Sequence, residues 1–128
     1  MNVMQILAEV DMKYPNDVEL AHKWGWITTL EKQLLDECLM THEISEAEQQ
    51  KAAEIFAMKD LDRDYEPLAQ PPYYEVYVHF VGMQIALVNT DTDQYENEQT
   101  LYNNALLTYK NWFNRTHRAR GSKLKWRF

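Results

Sequence analysis

Residues 93–117 read DQYENEQTLYNNALLTYKNWFNRTH, and this stretch decides the fold. Tyr95, Tyr102, Leu106, Tyr109 and Phe113 fall on one face of a helix, with Leu101, Ala105 and Trp112 beside them. Polar residues fill the other faces, and neither glycine nor proline interrupts the run. The spacing predicts a single helix over 93–117, about 25 residues and roughly 37 Å long. A rod of that length needs partners along its apolar stripe, so the rest of the chain must supply helices to cover it.

Asn89 to Asp93 is a polar break just upstream. Before it, Tyr74, Tyr77, Val78, Val81, Ile85 and Val88 predict a helix over 72–89, with Pro72 at its first position, where a missing N–H costs nothing. Gly82 inside that helix points to close approach by a neighbour. From Met58 to Pro72 the periodicity disappears, and residues 58–71 read as a long loop; loops of that length often carry contacts. Ser45 and Glu48 form a capping signature for a shorter helix over 46–58. A long helix is expected over 17–41, opened by Asn16 with Glu19 three residues on, its stripe being Leu20, Trp24, Ile27, Leu30, Leu34 and Cys38. Cys38 on that stripe reads as a small core residue. Gly25 weakens this helix by about 1 kcal/mol relative to alanine and is expected at a close packing contact. Val3, Ile6, Leu7 and Val10 predict a first short helix over 2–13, ending before Pro15.

Composition agrees with these helices. With 3 glycines and 4 prolines in 128 residues, the chain lacks the turn residues an all-β domain needs. The reading is all-α: a small bundle of four to five helices, two of them long, with an extended basic C-terminal tail. Residues 1–117 form the body and 118–128 the arm. No apolar run approaches the roughly 18 residues of a membrane span. The first ten residues lack a basic n-region, so no secretory signal and no membrane partner are expected. A single cysteine cannot make an internal disulfide and fits a reducing compartment.

Charge divides the chain more sharply than its net −7 suggests. Residues 101–128 hold seven basic residues and no acid, whereas the first hundred hold six basic residues against twenty acids, a net −14. An acidic body with a basic end fits two surfaces with different partners, and equally a soluble body with a solvated tail.

Motifs for chemistry do not assemble. His22, His42, His79 and His117 lack the spacing of a zinc helix, and one cysteine cannot build a thiolate site. Asp60, Asp62 and Asp64 imitate the start of an EF-hand loop. Tyr65 stands where its glycine should be, and Pro71 where its bidentate glutamate should be. No phosphate loop or nucleophile elbow is present. The expectation is a non-enzymatic protein with no metal and no cofactor.

The arm carries the clearest interaction signal. Lys123, Leu124, Lys125, Trp126, Arg127 and Phe128 alternate basic and apolar, which is a strand period. A lone strand in a helical bundle has no partner, so this segment is expected either to add to a sheet edge on another molecule or to be a disordered basic tail. Fully extended, the 11 residues from Arg118 to Phe128 reach at most about 36–40 Å.

A resemblance runs through the whole body. Tyr14-Pro15-Asn16 begins it, followed by Trp26-Ile27, Leu30-Glu31 and Glu37. Leu68, Pro72-Tyr73 and Tyr77 come next, then Asn89, Tyr102-Asn103-Asn104, Tyr109 and Asn114-Arg115-Thr116-His117. In that order and spacing the chain resembles the head–tail connector, or adaptor, proteins of long-tailed bacteriophages. The segment after Arg118 lies outside the shared pattern. The resemblance implies a helical structural protein of the virion neck, assembled in the bacterial host cytoplasm. It implies a ring, usually a dodecamer, that attaches below the portal protein and extends the DNA channel. It also implies a C-terminal segment that docks on the portal, here Lys123–Phe128, and a lower face that receives the next neck protein, a stopper or tail-completion protein. DNA would pass through without specific binding. The competing expectation is a small helical nucleic-acid-binding protein whose tail contacts phosphates while Trp126 and Phe128 stack on bases. Binding to random DNA with a steep salt dependence would mark that alternative.

Overall fold

The computed structural model describes residues 1–120. Five α-helices form a small all-helical bundle: α1 (Val3–Lys13), α2 (Leu20–Leu34), α3 (Glu46–Phe56), α4 (Glu75–Val88) and α5 (Thr92–Thr116). α4 is the central element. It packs against α1 and α2 and forms a tight hairpin with α5. Phe80 meets Tyr102 and Tyr73 meets Tyr109, so the two helices run antiparallel in close register. Val76, Tyr77, Val78, Val81, Met83, Ile85 and Ala86 are all buried, which makes α4 apolar nearly all round, as a central helix must be.

Local chemistry sets the helix ends. Asn2 and Gln5 cap α1 reciprocally, and Ser45 and Glu48 do the same for α3. α4 ends in a left-handed residue, Thr90, at φ 52°. The Asp91 and Thr90 amides bond back to Ala86 and Leu87, closing a Schellman turn. The Asp91 side chain then caps α5 through the Gln94 amide at 3.0 Å.

Several boundaries differ from the sequence expectation. Asn16 does not cap α2. Its carboxamide accepts from Val18 N and donates to the Tyr14 carbonyl, a local Asx turn that holds the chain extended until Leu20. α2 also does not stay α-helical to residue 41. Leu35–Leu39 form a π turn, with Met40 N bonded to Leu35 O at 2.9 Å. The wider turn lets Leu34, Leu35, Cys38 and Leu39 all face the core. Pro72 is not the first residue of α4. The Pro71–Pro72 peptide is cis, a turn at Gln70–Tyr73 precedes the helix, and the Tyr74 carbonyl accepts from Tyr77 N in its first turn. Gly25 marks no close contact, because a Cβ there would meet nothing within 4 Å. Gly82 does, and its neighbour is the Tyr14 ring.

Residues 58–71 contain no helix, as expected, yet the loop is part of the core rather than a free surface loop. Tyr65 and Ala69 are buried. Glu31, with no exposure at all, holds the loop in place. Its carboxylate accepts from the phenols of Tyr65 (2.5 Å) and Tyr77 and from the Leu68 amide (3.1 Å). Tyr77 in turn accepts from the Ala69 amide at 2.9 Å. Burial raises the Glu31 carboxyl above its ordinary range; the two phenols and the amide oppose this without cancelling it. Across the bundle, Glu98 plays the same part, bonded to Tyr14 and, at 2.7 Å, to His79.

Candidate interaction site at the root of the basic arm

The chain leaves α5 where three other segments end, and short polar contacts fix that junction. Glu48 belongs to the α3 capping box: one carboxylate oxygen accepts from Ser45 N at 3.0 Å. Its other oxygen lies 2.6 Å from His117 Nε2, just beyond the last turn of α5. One side chain thus caps the start of α3 and ties down the end of α5. Burial pushes the Glu48 carboxyl up, but the Ser45 N–H and the His117 ring together bring it below its ordinary value. The His117 ring also stacks on Phe113, centroids 3.8 Å apart and planes within 3°.

His42 occupies the inner side of the junction. Its Nδ1 lies 2.8 Å from the Cys38 carbonyl and 2.9 Å from the Thr41 hydroxyl. Nε2 lies 2.8 Å from the Asn114 side chain on α5. The ring packs edge-on against Phe113 at 4.9 Å. Lys110 closes the opposite side of α5 with a 2.8 Å bond to Glu37, drawing the Glu37 carboxyl below its usual value. Cys38 lies beneath. Burial pushes its thiol up to about 11, with Glu37 adding to the rise and Lys110 opposing it, which suits a core residue and not a nucleophile.

On this platform the arm begins with a single antiparallel bridge. Arg118 O accepts from Glu43 N at 2.6 Å, and Arg120 N donates to Thr41 O at 2.9 Å, so His42 and Ala119 form an antiparallel bridge. Arg120 adds a side-chain bond, Nε to His42 O at 3.0 Å. The bridge holds the start of the arm on the link between the π turn and α3; the pairing expected for Lys123–Phe128 lies outside the described residues. Ala119 lies between the two paired residues, so its own peptide groups point away from Thr41–Glu43.

The arm residues singled out in the sequence, Lys123, Leu124, Lys125, Trp126, Arg127 and Phe128, lie outside the described residues. The sequence reading missed Thr41–Glu43, because three extended residues between helices carry no periodic signal. It missed the pairing of Glu48 with His117 because capping boxes are read locally, whereas this one extends to a residue 69 positions away. No cluster of three or more potential metal-ligating side chains occurs among the described residues, including Asp60, Asp62 and Asp64. No described helix is long and apolar enough to cross a membrane. Compared with family models, curated proteins and solved structures, the chain matches none.

Proposed function

We propose that this chain is a structural head–tail connector of a long-tailed phage neck, an adaptor that forms a ring of twelve copies below the portal protein. The observation that supports this reading most is the arm root. A body stitched together by Glu31, Glu48 and Glu98 holds Ala119 in an antiparallel bridge with His42, directly before the basic, alternating segment that the sequence marks as a candidate for strand addition. In this account Lys123–Phe128 dock on the portal. Leu124, Trp126 and Phe128 supply most of the affinity, and the cations speed encounter with an acidic partner. Residues 121–128, past the last described residue, span at most about 26–29 Å when fully extended, shorter than the full arm. The acidic bodies would line the channel with negative charge, which repels the DNA backbone and lets it slide without specific binding. The opposite face would receive the next neck protein.

The test is attachment to portal-bearing heads. Truncation after Arg120 should leave the helical signal unchanged and abolish attachment. Trp126→Ala should weaken attachment more than Lys125→Ala. Normal attachment of the truncated protein would refute the docking role, and steep salt-dependent binding to random DNA would favour the nucleic-acid alternative.

A further inference from the structure

The end of the bundle opposite the arm carries an unfilled groove of about 500 Å³ between the start of α2 and the end of α4. Asp17, Val18, Glu19, His22, Trp26 and Val88 line it, and no lysine or arginine does. Asn89 fixes this corner by donating to the Pro15 carbonyl at 3.2 Å. Val88 is 58% exposed, so apolar surface is open to solvent here. Trp26 is half-buried. The groove thus combines an aromatic wall, an aliphatic rim and two carboxylates.

From these features we infer that the groove takes the Lys123–Phe128 segment of a second copy of this chain. That segment offers what the groove lacks: three cations on one face for Asp17 and Glu19, and Leu124, Trp126 and Phe128 on the other for Trp26 and Val88. Reach decides between the same copy and a second one. Arg120, the last described residue, is bonded to Thr41, and His22 lies near the far end of α2, about 25–30 Å away along the helix axis. Leu124 is four residues past Arg120, within about 14 Å of it. The three apolar side chains therefore cannot all enter the groove of their own copy. Arm into groove is a head-to-tail contact between unlike surfaces, so it does not stop at two copies. The inference concerns the free protein and does not depend on the portal reading. A portal that binds the same segment would compete with the groove and release the copies.

The experiment is sedimentation of the full chain across a concentration series. The expected result is a mass that climbs past the dimer. Val88→Glu, at an exposed position that leaves the core intact, and Trp126→Ala should each lower the association constant about tenfold or more. Mixing the two variants is the stringent step. The first keeps its arm and the second its groove, so the mixture should form a discrete dimer that neither forms alone. A full chain that stays monomeric throughout, or variants that associate like the unaltered protein, would overturn the inference. So would a mixture that fails to pair. Head attachment by Val88→Glu is read separately, and it reports on the portal reading alone.

Discussion

Gly82 lies directly against the ring of Tyr14: a Cβ at position 82 would stand 2.8 Å from Cε2 and 2.9 Å from Cζ of that ring. The ring cannot simply swing away, because its hydroxyl is bonded to Glu98, which also holds His79. Gly82→Ala should therefore destabilise the protein by about 1–3 kcal/mol, as overpacking does. Shortening the ring in Gly82→Ala/Tyr14→Leu should recover part of the loss. Denaturant titration of both variants checks this, and a Gly82→Ala protein of unchanged stability would contradict it.

Gly25 predicts the opposite sign. It sits inside α2 with open space where a Cβ would go. Gly25→Ala should stabilise by about 0.5–1 kcal/mol, through helix propensity and a less flexible unfolded chain. A higher denaturation midpoint without a change in slope is the expected observation.

Thr90 is a β-branched residue in the left-handed region at φ 52°. Its conformation closes the Schellman turn between α4 and α5, a position that favours glycine. Thr90→Gly should raise stability by about 0.5–1 kcal/mol, despite the greater unfolded-state entropy of glycine. Its Oγ bonds only its neighbour's carbonyl, Asn89 O at 2.7 Å, so little else is lost. Thermal denaturation reads the change.

Glu31 gives a pH dependence. Glu31→Ala strands the Tyr65 and Tyr77 phenols and the Leu68 amide, and should cost about 3 kcal/mol or more. Glu31→Gln resembles the protonated acid. Because burial raises the carboxyl in the folded state, the contribution of Glu31 to stability is fully present below its unfolded value. It is lost as pH rises through the higher folded value. The unaltered protein should therefore lose stability relative to Glu31→Gln as pH rises from the acid range to neutral. Chemical denaturation of both proteins along that pH series measures it; a difference that does not vary with pH would show that the folded carboxyl is unshifted.

The apolar stripes made the helical elements legible in sequence. Val3, Ile6, Leu7 and Val10 are the buried face of α1, and Tyr102, Tyr109 and Phe113 that of α5. Gly82 was legible as a close approach for the same reason. What escaped was set by distant polar partners. Glu31 sits on a helix like any surface glutamate, and only the folded loop brings Tyr65 and Leu68 to it. Asn16 has the composition of a cap, but its side chain finds the nearer backbone of its own turn first. At the arm root, two backbone hydrogen bonds between residues over seventy positions apart leave no trace in local pattern.

Imaging the full chain mixed with the portal protein of the same genome tests the connector account most directly. The account predicts a ring of added density, coaxial with the portal and beneath it. The same mixture made with protein truncated after Arg120 should show the portal alone. Absence of a ring with the full chain, or an equal ring with the truncated one, would contradict the account.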